Sequence, residues 1–295
     1  MSTTAEFDAF GPWIYEIKSR EDVPRLFRDY PLDLENAALT IKVPRDIPRR
    51  EANPSMDLYD IILSLGPENV TVLRRSGTRY DFRDVPYSEI QGITEFVDLL
   101  AGHLVLSTDG GDVDVPFNAS SSEIITHLVQ LLRERYLSEG GESHATVDRA
   151  GKSPVPDVER ELQLLYRRVA QGPGDRVIAV QPKRLLVARD ASTVGRLVGR
   201  AWPTSLLSSV FVLSPRELQV LHRGRDYQTG YKPVRALART LIPLERVTGV
   251  ESRPSSMYDG VRKVHVRAGG VLHEFGVDDA LADDLLHSLR EAIRG

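Results

Sequence analysis

Nine basic residues are the strongest candidates for chemistry in this sequence. Lys42, Arg45, Arg49 and Arg50 crowd into "KVPRDIPRR", opposed there only by Asp46. Like charges held this close repel one another, and a polyanionic partner would relieve the local field. Arginine suits that task, because its planar fork takes phosphate or carboxylate oxygens in pairs where lysine offers a point charge. Lys183, Arg184, Arg189, Arg196 and Arg200 form a second group further along, with Asp190 among them. Their chemistry would be anion or partner binding. The bland counter-reading is a solvated loop whose arginines pair with carboxylates of the same domain.

Residues that could support catalysis or metal binding lack the required spacing. The seven histidines, His103, His127, His144, His222, His265, His273 and His287, are scattered. His265 and His273 fall on adjacent predicted strands, but a metal needs a third ligand and none is evident. The clusters "NASSSE" and "RPSSM" have no G-x-S-x-G elbow that would make a serine nucleophile. Ser120, Ser121 or Ser122 reads instead as a helix cap with Glu123 in the first turn. "GPGD" and "DGGD" read as turns, since neither carries the Lys-Ser/Thr of a phosphate-binding loop. The acidic run "DDALADD" opens a predicted helix, where carboxylates complement the N-terminal dipole. Trp13 and Trp202 read as packing residues or as partner-facing anchors. No catalytic residue, metal or cofactor is expected, and the chain does not read as an enzyme.

Composition sets the outer bounds. With 295 residues the chain is long enough for two domains of ordinary size. Its hydrophobic fraction of 41% and charged fraction of 27% are those of a globular protein. A net charge of -4 supplies no global basic field, so no specific nucleic-acid binding is expected and any anion site must be local. The absence of cysteine removes disulfides, thiolate metal sites and a cysteine nucleophile. No signal-like start or uncharged apolar run of about 18 residues is present. The expected location is cytoplasmic, with peripheral membrane association as an option.

The elements that would position these residues occur twice. "VPYSEIQGI" (85–93) returns as "IPLERVTGV" (242–250), and "LGPENVTVLRRSG" (65–77) returns as "LSPRELQVLHRG" (213–224). Pro86 and Pro243 stand 157 positions apart, as do Leu128 and Leu285 on the two amphipathic closing helices. The stripe Ile124, Leu128, Leu132 matches Leu281, Leu285, Leu289. In each nonapeptide the proline lacks a ladder N–H and so sits at a strand end or bulge, while the glycine permits a kink or close approach, which together describe a corner. The second copy carries an insertion, placed at "DYQTGYKPVRA" (226–236).

Each half therefore reads as about seven short strands and a terminal helix, a mainly β fold with α. The expected divisions are an N-terminal arm over 1–36 with a short helix capped by Ser19, a domain over 37–137, a linker and helix over 138–174, and a domain over 175–295. The connecting helix follows Asp157 and puts Val158, Leu162, Leu165 and Val169 on one stripe.

This order of strands, with its V/I-P-x-x-x-I/V corner and closing helix, resembles the pleckstrin-homology (PH) superfold, bacterial PH-like domains above all. The resemblance covers most of 37–137 and 175–294. It implies two seven-stranded bent sandwiches, each plugged by its helix, and a binding or scaffolding module. In lipid-binding members the first hairpin loop cradles phosphorylated headgroups, which is where both basic groups fall. The implied partners are an unidentified protein or an anionic membrane surface, with homo-oligomer formation a further option.

Overall fold

The computed structural model describes residues 5–137, 158–169, 172, 174–189 and 202–294. It is mainly β, every recorded strand pair is antiparallel, and among the described residues no sheet closes into a barrel. Two compact units divide the chain: the first comprises Met1–Ile90, Leu99–Val105 and Asp112–Ser138, the second Gln91–Asp98, Leu106–Gly111 and Glu139–Gly295. Gln91–Asp98 and Leu106–Gly111, which the sequence reading puts inside 37–137, thus belong to the second unit.

In chain order the first half runs α1 (Ala5–Ala9), β1 (Tyr15–Glu16), β2 (Leu39–Pro44), β3 (Tyr59–Leu65), β4 (Asn69–Ser76), β5 (Arg79–Pro86), β6 (Ile90–Asp98), β7 (Ala101–Thr108), β8 (Val113–Asn118) and α2 (Ser122–Tyr136). The rest comprises α3 (Arg160–Val169), β9 (Arg176–Gln181), β10 (Arg184–Leu186), β11 (Thr204–Leu206), β12 (Ser209–Leu213), β13 (Glu217–His222), β14 (Tyr227–Thr229), β15 (Leu237–Pro243), β16 (Val247–Pro254), β17 (Val261–Ala268), β18 (Val271–Asp278) and α4 (Asp279–Arg294).

In the first unit β1 to β5 form one sheet in sequence order. The middle strand β3, "YDIILSL", is buried at six of its seven positions, because both of its faces are covered. The N-terminal arm covers one of them: Phe10, Ile17, Val23 and Phe27 pack with Leu58, Ile62 and Leu73. This arm is held by 3-10 turns at Arg20–Asp22 and Arg25–Phe27, separated by Pro24, where the sequence suggests one short helix. Asp22 Oδ2 accepts from the Ser19 N–H and hydroxyl at 3.0 Å each. On α2 the buried residues are Ile125, Leu128, Val129, Leu132 and Tyr136, so the stripe runs through Leu128 and Leu132 with Ile125 taking the place of Ile124.

In the second unit the strands fall into further sheets. Strands β6, β15, β13, β12 and β9 neighbour one another in that order, and β16, β17 and β18 form a separate sheet. β12 splits its side chains in strand alternation: Val210 and Val212 meet Leu162 and Tyr166 of α3, while Phe211 and Leu213 join a cluster with Leu285 and Leu289 of α4. The segment 226–236, where the sequence places the insertion, supplies β14, which pairs with β11 in a small sheet completed by β10. Asp157 lies outside the described residues.

Both corner motifs take one conformation. β5 ends at Pro86, a 3-10 turn spans Tyr87–Glu89, and β6 begins at Ile90; β15 ends at Pro243, a 3-10 turn spans Leu244–Arg246, and β16 begins at Val247.

Candidate interaction site

The first basic loop connects β2 to β3, and its course is set by prolines. A register shift at Val43/Pro44 ends the pairing of β2, and Pro48 starts a 3-10 turn over Arg49–Glu51. Between them the Arg45 N–H donates to Leu58 O and the Ile47 N–H to Arg45 O, both at 2.9 Å. The loop backbone is therefore tied down.

Most of the positive charge is already met by the protein itself. Lys42 Nζ donates to Asp22 O at 2.7 Å and stands 5.0 Å over the Tyr59 ring. Burial holds its pKa below the ordinary lysine value, against the pull of Asp22 and Glu6. Arg45 Nη1 donates to Asp57 O at 3.1 Å. Arg49 Nη1 donates to Phe10 O at 2.8 Å and also to Phe7 O, with its guanidinium 4.2 Å over the Phe7 ring. Those carbonyls lie at the end of α1, so Arg49 acts as a cap for that short helix. Arg50 is the exception: its side chain is 84% exposed and, among the described residues, pairs only with the neighbouring Glu51, at 3.7 Å.

The four residues do not converge on one cradle. Arg45 and Arg49 line a cavity of about 580 Å3 in the first unit, Lys42 lines another of about 450 Å3 with Glu6, Asp22, Arg25 and Arg28, and Arg50 lines neither. The larger cavity is chiefly apolar, walled by Phe10, Pro44, Ile47, Pro48, Pro116 and Phe117, with Leu100 at 67% exposure on its rim. Gly102 makes this wall possible, because a Cβ there would stand 2.4 Å from the Phe117 ring. His103, also in the lining, faces Asp114 at 3.0 Å.

In the second half Arg184 Nε meets Asp278 Oδ2 at 2.6 Å, and Arg189 Nε meets Asp259 Oδ1 at 3.1 Å. Lys183 is exposed. Arg196, Arg200 and Asp190 lie outside the described residues.

The remaining sequence candidates fall into structural roles. His265 sits opposite Glu274, with Nε2 to Oε2 at 3.0 Å, while His273 sits opposite Val266 and faces Gln91 O at 3.2 Å. A one-residue stagger on paired strands sends the two imidazoles to opposite faces. No group of three metal-capable side chains occurs among the described residues. Asn118, rather than a serine, accepts the Ser120 N–H at 3.0 Å, and Ser121 Oγ instead accepts the Ile14 N–H at 2.9 Å. Asp279 and Asp283 flank Arg262 at 3.7 and 2.9 Å at the start of α4. Trp13 folds over Gly11 and Trp202 lies against Gly230, yet both rings stay half exposed or more.

Sequence reading missed the apolar walls. Phe10, Pro116 and Phe117 are distant from the loop in sequence, and the only local signal was the pair of prolines in "KVPRDIPRR". It also missed a half-buried charge cluster in which Lys263 Nζ meets Asp226 at 2.5 Å and Glu274 at 2.9 Å.

No protein-family model matches this chain, and no curated protein matches its sequence.

Proposed function

We propose that the chain is a non-catalytic protein-interaction module built from two PH-like β domains and acting in the cytoplasm. Supporting the PH-like reading, each half runs four long strands, a proline corner, three strands and a closing helix. The observation that carries the binding reading is the 580 Å3 cavity of the first unit, with its proline and phenylalanine walls. Ligand sites are concave and mostly apolar with a few placed polar groups, and this one has Arg45, Arg49 and Asn118 among its lining. An extended peptide with an apolar side chain fits that lining.

The alternative, a phosphorylated headgroup at an anionic membrane, draws on the same loop. It is the weaker reading, because Arg45 and Arg49 would have to leave backbone carbonyls they already satisfy. No helix among the described residues is long and apolar enough to cross a membrane.

Peptides selected from a displayed random library on the immobilised chain should lose binding when Leu100→Asp charges the rim. Selected peptides indifferent to that change would remove the cavity from the proposal. In parallel, the triple Ala variant at Arg45, Arg49 and Arg50 should sediment with phosphatidylserine vesicles no less than wild type. A salt-sensitive loss in the variant would favour the membrane reading.

A further inference from the structure

β5 is the end strand of its sheet, with β4 on one side only. Its register fixes which backbone groups point outward. Ser76 and Arg79 close a two-residue turn with Gly77 at φ 65°, so Arg79, Asp81, Arg83 and Val85 exchange ladder bonds with β4. The Tyr87 N–H continues this parity by donating to Glu68 O at 3.2 Å. Tyr80, Phe82 and Asp84 therefore direct their N–H and C=O groups away from the sheet. Among the described residues nothing takes up those groups. Phe82 is 62% exposed.

The same edge is filled in the second half. By the shared offset β15 corresponds to β5, with Arg239 in the place of Phe82, and β15 takes β6 as an antiparallel neighbour, Arg239 opposite Glu95 and Leu241 opposite Ile93. An edge of this form can accept a strand.

We propose that β5 pairs antiparallel with β5 of a second copy of this chain about a two-fold axis through Phe82. Three observations lead to that occupant. Outward-facing residues must meet outward-facing residues, which restricts the register to even slips. Centring on Phe82 sets Asp81 opposite the second copy's Arg83, and Arg83 opposite its Asp81. A slip one way sets Asp81 against Asp81 and Arg79 against Arg83; a slip the other way sets Arg83 against Arg83. Like charges directly opposite are destabilising, so the charges select the Phe82-centred register. The pairable stretch is bracketed by the Gly77–Thr78 turn and by Pro86, which has no N–H, and the midpoint of Arg79–Val85 is Phe82 itself. In that register the two Phe82 rings lie side by side, each backed by its own Tyr30, whose ring centroid is 5.4 Å away. Charged side chains on an edge strand commonly guard against pairing. A guard of one sign repels in every register, whereas these alternate and agree in one.

Sedimentation of the full chain at micromolar concentrations tests the proposal. Wild type should form dimers. Asp81→Arg alone and Arg83→Asp alone should each weaken dimerisation by about tenfold or more, since each turns two facing pairs into like charges. The double variant should recover it. Because the chain has no cysteine, Phe82→Cys supplies a single thiol that should oxidise to a covalent dimer, while Leu272→Cys, at an exposed position of β18, should not. Circular dichroism confirms that each variant is folded. A monomer at every concentration, a dimer indifferent to the single changes, or a folded double variant that stays monomeric would each overturn the proposal.

Discussion

Pro86 and Pro243 end their strands with nearly the same backbone, φ -56° and ψ 141° at one, φ -66° and ψ 125° at the other. Each is followed by one 3-10 turn, and the residue after the turn bonds back to its first carbonyl, Ile90 N to Tyr87 O and Val247 N to Leu244 O. Proline presets the φ that this corner needs and has no N–H to leave unpaired. The two copies of the nonapeptide thus do one mechanical job. They turn the chain out of the strand that ends at the proline, β5 or β15, into a run of three strands, β6 to β8 or β16 to β18.

The closing helices give the first prediction. Leu128 and Leu285 are both fully buried. Replacing either with Ala should cost about 2–5 kcal/mol of stability, the range for a leucine removed from a packed core. Urea melts of each variant measure it, and an unchanged midpoint would place that helix outside the core.

A second prediction separates Arg49 from Arg50. Arg49→Ala removes donors from the Phe7 and Phe10 carbonyls and a cation from the Phe7 ring, and should destabilise by about 1–3 kcal/mol. Arg50→Ala should stay within about 0.5 kcal/mol, because the side chain is 84% exposed and its partner among the described residues, Glu51, is an exposed neighbour. Equal effects in thermal melts would contradict the capping role.

The corners and the closing helices were legible in the sequence because their signals are local: a proline, a glycine eight places into the motif, and leucines at helical spacing. The basic loop was legible only as charge. Arg49 finds its acceptor at Phe10, 39 positions away, and nothing in "KVPRDIPRR" announces that. The N-terminal arm reads in sequence as holding one short helix; the two 3-10 turns separated by Pro24 carry no amphipathic repeat, and the burial of Phe27 went unread. Pairing of β6 with β15 joins Ile93 to Leu241 across a long stretch of sequence, and two apolar strands carry no mark of which edge they will choose.

The third prediction concerns pH. His222 Nδ1 faces the Gly224 N–H at 3.1 Å and so accepts, which leaves Nε2–H to donate to Thr240 Oγ1, also at 3.1 Å. Thr240 in turn meets Thr94 Oγ1 at 3.0 Å. A protonated ring would set two donors against each other at Nδ1, and burial pulls the pKa down from 6.5 to about 4 against the opposing charge of Asp226. The unfolded chain takes up this proton first as pH falls. The contribution is complete above pH 6.5 and is lost on the way to about 4, at most about 3 kcal/mol in all. His222→Gln should flatten the stability profile across that window relative to wild type. Parallel profiles would show that His222 does not titrate there.

The last prediction tests whether the charge cluster on the second unit acts as a unit. Burial works to lower the pKa of Lys263, but the bonds to Asp226 and Glu274 outweigh it and hold the ammonium charged well above the ordinary lysine range. Glu274 is correspondingly held below the usual carboxylate value, first by its bond to Lys263. The Lys263 side chain is 23% exposed and that of Asp226 19%, so neither charge is well solvated alone. Lys263→Met should therefore cost about 2–4 kcal/mol, chiefly through the carboxylates it abandons. Adding Asp226→Asn should return part of that loss, because the second change removes the stranded charge at half-buried Asp226. A double-mutant cycle on urea melts reads the coupling directly. Strict additivity would mean that the two side chains sit within 2.5 Å of each other without either depending on the other, and would dissolve the cluster into separate surface charges.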